Sequence, residues 1–253
     1  MPIPDERSRV HYRDIRHDEW SLGTLVSQLT GERIPAEQGA HLDPDLCPGS
    51  LPRQSGWRPV FGQSGAALAH LNNNGVTEGD LFIFFGLFRS VVEDSGVYHW
   101  DKRAKPVHLI WGWLQIEARL PIVDATAEEF NWAHYHPHFQ RPEEKNNLLF
   151  LARENLALEG ALSDLPGAGV FTHYCKERQL TAQDGRSVSQ WALPCWCYPR
   201  RNHFPLTYHH NSARWQRQKQ RTLLQSVARG QEFVLDTKKY PQALQWVRDI
   251  ICG

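Results

Sequence analysis

The sequence predicts an α+β fold: a small, strongly bent, β-barrel-like sheet with flanking helices and one long ordered loop. Three observations predict it. Residues 81–90 (LFIFFGLFRS) and 107–122 (VHLIWGWLQIEARLPI) are long aliphatic and aromatic runs of strand type, interrupted by Gly86 and Gly112. A glycine inside a strand marks a bulge, a sharp bend or close approach of another backbone, as a small barrel requires. Residues 39–63 hold four prolines and four glycines, which forbid regular structure, yet Leu42, Leu46, Leu51, Trp57, Val60 and Phe61 anchor them.

The remaining elements follow in order. Residues 1–19 form an extended polar lead-in. Residues 20–29 place apolar side chains at 22, 25, 26 and 29, one helical face, and Thr30, Gly31 and Pro35 end it. Ser64 caps a second helix over 64–73, stopped by Asn74-Gly75. A charged loop separates the two long strands. Residues 125–136 read as a helix stopped by Pro137, and 147–153 as a short strand. Residues 209–229 read as a helix with Trp215, Leu223, Leu224 and Val227 inward, 231–236 as a strand, and 240–251 as a final helix. No linker divides the chain, so 1–253 reads as one domain.

Composition narrows the function. Lys+Arg and Asp+Glu both total 28, so no global positive field advertises phosphate-backbone binding; a nucleic-acid contact must be local. No stretch approaches the roughly 18 apolar residues of a membrane span, and the charged N-terminus is no signal peptide. Five scattered cysteines point to reduced thiols in a cytoplasm rather than to a disulfide framework. Ten tryptophans and thirteen histidines favour a polar pocket lined by aromatics.

Two constellations carry the candidate chemistry. His41, Asp43 and Asp45 offer acid/base groups or ligands for a divalent ion, with Pro44 holding Asp43 extended. Downstream, Arg53 and Arg58 bracket Trp57, and Gln63 follows, a set suited to a phosphate or a stacked base. In the plainer reading the aspartates cap turns and the arginines pair with them. The second constellation is His136-Pro137-His138; a metal there needs further ligands from elsewhere, His41 or Asp43 among them. Arg89 and His99 line the barrel rim if the rim is the site, and Trp111 offers a second stacking surface. No Walker loop, GxGxxG turn, GxSxG elbow or HExxH pair is present, so no complete metal set is assigned and no cofactor is named.

Several strings together resemble a known family: PIPDERSRVHYRDI, HLDPDLCPGSLPR, WRPVFGQSGAALAHL, GDLFIFFGLFR, HLIWGWLQI, HPHF, PGAGVF, SQWALPCW and RGQEFVLD. They resemble the third of the nucleotide-modification-associated domain families, encoded by bacteria and phages. The resemblance spans essentially the whole chain. It implies a role in systems that modify DNA bases or nucleotides, and it carries no established reaction. Members of that family begin with a further strand and glycine-rich turn ahead of the PIPD string. The resemblance therefore implies a chain lacking its N-terminal strand, with activity in question if that strand contributes to the site. A second resemblance covers the core alone: GDLFIFFG followed by HLIWGWLQI is similar to PUA-like and EVE barrels, which bind modified bases in an aromatic pocket.

Three readings follow. The domain binds a nucleotide or modified base, stacked on Trp57 or Trp111 and held by Asp43, Arg53 and Gln63; or it is a nucleotide-modifying enzyme built on His41, Asp43 and Asp45; or it is a structural interaction subunit.

Overall fold

The computed structural model describes residues 2–17, 20–125, 128–144, 146–159, 161–201, 203–228 and 231–252. The N-terminal part holds β1 (Ile3–Pro4), the hairpin β2 (Arg16–His17) and β3 (Trp20–Ser21), α1 (Leu22–Thr30) and β4 (Ala40–His41). β1 pairs antiparallel with β4, Ile3 opposite His41. The apolar face of α1, with Val26 buried, closes on Val10, Tyr12, Ile15, Ala40 and Leu42. Gly31 takes the left-handed conformation that ends α1.

The centre is a five-stranded antiparallel sheet. Its members are β5 (Val60–Ser64), β6 (Leu81–Phe88), β9 (Val107–Pro121), β10 (Asn147–Ala152) and β13 (Ala168–Val170). Between them come α2 (Gly65–Asn73), the hairpin β7 (Val91–Asp94) and β8 (Val97–Trp100), and the paired β11 (Asn155–Leu158) and β12 (Ala161–Pro166). The long β9 organises the sheet. Its first half pairs with β6 on one side and β13 on the other; its second half pairs with β10, which carries β5. The result is a mixed α/β chain with a curled half-barrel sheet and few helices.

The curl has a local cause. A register shift between Phe84 and Phe85 leaves Trp111 as the extra residue of β9. A Cβ on the adjacent Gly112 would lie 2.8 Å from the Gly169 carbonyl oxygen, so glycine is required where β13 approaches. Both signals read from the sequence at Gly112 are therefore present. One sheet face packs Leu114, Ile116, Leu148 and Phe150 against Leu68 and Leu71 of α2. The other packs Val60, Leu120, Leu149 and Leu151 against Trp132.

A smaller sheet of β14 (Gln190–Pro194), β15 (Trp215–Arg217) and β16 (Arg221–Gln225) packs with α3 (Gln242–Cys252) around Ile110, Trp191 and Leu224. Here three expectations are corrected. The helix expected over 209–229 is largely the β15–β16 hairpin. Leu224 lies opposite both Trp191 and Trp215, so apolar residues that mimic a helical face belong to two strands facing one core. The expected strand over 231–236 is irregular within the described residues. Val234 exchanges hydrogen bonds with Thr207 alone, Val234 N–H to Thr207 Oγ1 (2.9 Å) and Thr207 N–H to the Val234 carbonyl (3.2 Å). The expected helix over 125–136 is, among the described residues, a 3-10 segment, Glu128–Ala133, followed by the 3-10 turn Pro137–Gln140. Part of the charged loop is ordered, as the β7–β8 hairpin against α1: Gln28 accepts the Tyr98 N–H and the Leu29 carbonyl accepts the Trp100 indole. Among the described residues, no helix is long and apolar enough to cross a membrane.

Two histidines pack at this C-terminal layer, His108 from β9 and His209. Burial holds His108 and His209 below the usual histidine range. His108 Nδ1 accepts the Trp191 indole N–H at 2.9 Å, and His209 Nε2 accepts the Val227 N–H at 3.2 Å. A lowered folded pKa gives stability that is complete above the unfolded value of about 6.5 and is lost as pH falls through the folded one. These two histidines are expected to contribute a fall in melting temperature as pH drops from about 7 to about 5. His108→Gln, which keeps an acceptor but does not titrate, should flatten that fall; an unchanged slope would remove His108 from it.

Candidate functional site

The two constellations meet. Asp45 and Val60 exchange backbone hydrogen bonds of 3.0 Å each, so residues 43–45 run antiparallel beside β5 and Asp43 falls opposite Gly62. The Gly62 N–H donates to Asp43 Oδ1 at 2.8 Å. The turn Pro137–Gln140, capped by His136, then lays two histidines over the same spot. His136 Nε2 lies 3.3 Å from Asp43 Oδ1, His138 Nε2 lies 3.4 Å from Oδ2, and His41 Nε2 lies 3.9 Å from Oδ2. A Cβ at Gly62 would sit 2.3 Å from the His138 ring, so only glycine lets that imidazole reach the carboxylate.

Neighbouring residues orient the rings. Asp5, which directly follows β1, accepts from His41 Nδ1 at 2.8 Å, and also takes the Arg7 N–H and an Arg141 guanidinium N–H. His138 Nδ1 meets Asn147 Oδ1, and the Asn147 amide nitrogen donates to the His138 and Arg141 carbonyls, which fixes that oxygen toward the ring. Both imidazoles therefore carry Nδ1–H and turn Nε2 toward Asp43. His136 Nδ1 accepts the His138 N–H; its Nε2, fully buried, has no hydrogen-bond partner of good geometry. One atom each from His41, Asp43 and His138 lie within 4.8 Å of one another, the group among the described residues that fits a metal ion.

Electrostatics match this geometry. Burial by itself would raise the Asp43 pKa, but the His136 and His138 imidazoles outweigh it and hold the carboxyl well below the usual range. Burial lowers His138, and Asp43 with Asn147 raises it above the ordinary histidine value. Asp5 is lowered overall, burial being outweighed by His41, the Arg7 N–H and Arg141.

Asp45 belongs to a separate network. Arg53 grips it through both guanidinium nitrogens, at 2.6 and 2.8 Å, and also reaches Ser50 Oγ at 2.7 Å. Tyr135 donates its hydroxyl to Asp45, and burial beside that anion pushes the phenol pKa up. Arg53 stacks 4.0 Å from the Trp57 ring centre, and the Trp57 indole donates to the Tyr135 hydroxyl at 2.8 Å. Trp57, Trp132, Tyr135, Leu51, Arg9 and Gln54 border a cleft of about 230 Å³.

The other residues predicted from the sequence are dispersed. Arg58 pairs with Glu117 and the Ala152 carbonyl. Gln63 is half-buried on β5, and Trp111, the bulge residue itself, stacks on Phe84. Arg89 holds the Asp101 carbonyl at the base of the β7–β8 hairpin, and His99 lies on that hairpin. Sequence reasoning missed Asp5, Gly62, Arg141 and Asn147. Asp5 lies within the PIPD string, the one available signal; the others are ordinary residues until the fold brings them in.

Fold and site together define a mixed α/β domain with a buried histidine–carboxylate centre beside an aromatic cleft. The chain belongs to the nucleotide modification associated domain 3 family, whose model matches residues 1–236. That membership implies a role in nucleotide modification systems. No curated protein and no solved structure matches the chain.

Proposed function

We propose that this protein is an enzyme acting on a nucleotide or a nucleic-acid base, with the Asp43 cluster as its reactive centre. The observation that supports this most is the burial of an ionised carboxylate among three imidazoles. Buried ion pairs seldom repay their desolvation in stability, whereas shifted titratable groups gathered at one point are the usual signature of a reactive site. In this reading the base lies in the neighbouring cleft, against Trp57 on the face that Arg53 leaves open. The exposed Arg9 and Gln54 at the rim hydrogen-bond its edge or its phosphate. The cleft has room for one ring system, which favours a base or a nucleoside unit over a length of duplex. Asp45 and Arg53 brace Tyr135 and Trp57.

Incubation with nucleotides, modified nucleosides and single-stranded DNA, followed by mass spectrometry, is the test. Trp57→Ala is expected to weaken binding by about 5- to 150-fold, the loss of a single base–aromatic stack of about 1–3 kcal/mol. Asp43→Asn should abolish turnover and leave binding in place. Turnover that survives Asp43→Asn removes the cluster from the chemistry. Binding without product for every substrate makes the domain a reader of nucleotides rather than an enzyme.

A further inference from the structure

We infer that His41 Nε2, Asp43 Oδ2 and His138 Nε2 are the protein ligands of a first-row divalent transition-metal ion. The inference concerns the centre of the proposed function and rests on that reading for its relevance, but its argument is independent of any substrate.

The first ground is the direction of the lone pairs. Asp5 fixes the proton of His41 on Nδ1, and Asn147 fixes that of His138 on Nδ1. Each ring then turns Nε2 to a carboxylate oxygen that is itself electron-rich. Two ring nitrogens and a carboxylate oxygen gathered at 3.4–3.9 Å form a set of donor atoms converging on one point. A cation set there satisfies all three at once. A single proton bridges one ring to Asp43 and leaves the other ring facing the anion.

The second ground is size. Metal–nitrogen and metal–oxygen bonds near 2.1 Å put tetrahedral ligand atoms about 3.4 Å apart. The His138–Asp43 separation is 3.4 Å and the His41–Asp43 separation 3.9 Å, with all three atoms inside 4.8 Å. Rotation of His41, which is partly exposed and anchored at its far nitrogen, closes the remainder.

The third ground is what surrounds the three. A metal-bound histidine commonly donates its other ring N–H to a carboxylate or carbonyl oxygen, and both do so here. The other oxygen of Asp43 is occupied separately, by the Gly62 N–H and the edge of His136. Asp43 is thus steered to offer one oxygen to the site. Two imidazoles and one carboxylate form a mixed nitrogen–oxygen set that suits iron(II), zinc, cobalt or manganese and leaves positions for water or substrate. His136 then acts by holding Asp43, not by binding metal.

The test is titration of chelator-stripped full-length protein with cobalt(II), read by its visible absorption, and with zinc(II), read by calorimetry. One equivalent is expected, with absorption of a site bearing nitrogen ligands. His41→Gln and His138→Gln should each abolish or greatly weaken binding. Asp5→Asn, which touches no metal, should weaken it about 10- to 100-fold. His173→Ala, at an exposed histidine elsewhere, should leave it unchanged. Less than a tenth of an equivalent bound by the unaltered protein overturns the inference, as does binding that survives in His41→Gln. Metal bound without any nucleotide turnover upholds this site and counts against the proposed enzyme. Turnover in fully stripped protein upholds the enzyme and removes the metal from its chemistry.

Discussion

Replacing Asp45 with alanine is expected to lower the unfolding free energy by about 3–5 kcal/mol, the range for stranding one partner of a buried ion pair. Asp45 is 1% exposed, and Arg53 gives it two short hydrogen bonds from a guanidinium that is itself largely buried. Without the carboxylate, a positive charge stays in a poorly solvated place, and the Tyr135 hydroxyl loses its acceptor. For a chain of this size the melting temperature should fall by roughly 6–20 °C. Arg53→Ala should cost a similar amount by stranding Asp45. The double change Asp45→Leu with Arg53→Met should restore much of the loss, because apolar replacement of a whole buried pair is often neutral. A single change that leaves melting unaltered would mean the pair is hydrated in solution. Either single change also disturbs the floor of the cleft, so weakened nucleotide binding in them must be read against their stability.

Gly62→Ala should have the largest effect on the site for the smallest change in chemistry. No reactive group is removed. The added methyl would lie 2.3 Å from the His138 ring, and the backbone has little freedom to yield. Gly62 is held in the β5–β10 ladder opposite Leu149, and its N–H is bonded to Asp43. The ring must move, against its bond to Asn147. Overpacking of this kind costs roughly 1–3 kcal/mol. Turnover and cobalt affinity are expected to drop at least about tenfold, a cost of about 1.4 kcal/mol in binding, while nucleotide affinity at the Trp57 cleft holds. Full metal affinity in this variant would remove His138 from the ligand set.

How far the sequence foretold this differs by element. The strands β6 and β9 were legible because buried strands are continuous apolar runs, and the bulge because glycine interrupts them. The β15–β16 hairpin was not: Trp215, Leu223 and Leu224 satisfy a helical period and a two-strand pairing equally well, and only the partner Trp191 on β14 decides between them. For the site, His41, Asp43, His136 and His138 were legible as residue types but fell into two unconnected groups. Their convergence depends on the register of residues 43–45 against β5, a non-local fact. Asp45 reads in sequence like Asp43, yet alternate residues of that segment serve different partners, one the histidines and one Arg53. Asp5 and Asn147 are unremarkable as letters; their role is purely one of position.

The pairing of β1 with β4 has a practical side. The carbonyl of Pro2 is tied to the Tyr12 hydroxyl at 2.7 Å, and three residues later Asp5 grips His41. Any peptide joined ahead of Pro2 thus emerges beside the Asp43 cluster. A histidine-rich purification handle placed there would bring competing imidazoles to the very spot where metal is to be measured. Fused after α3, the same handle would leave that approach clear.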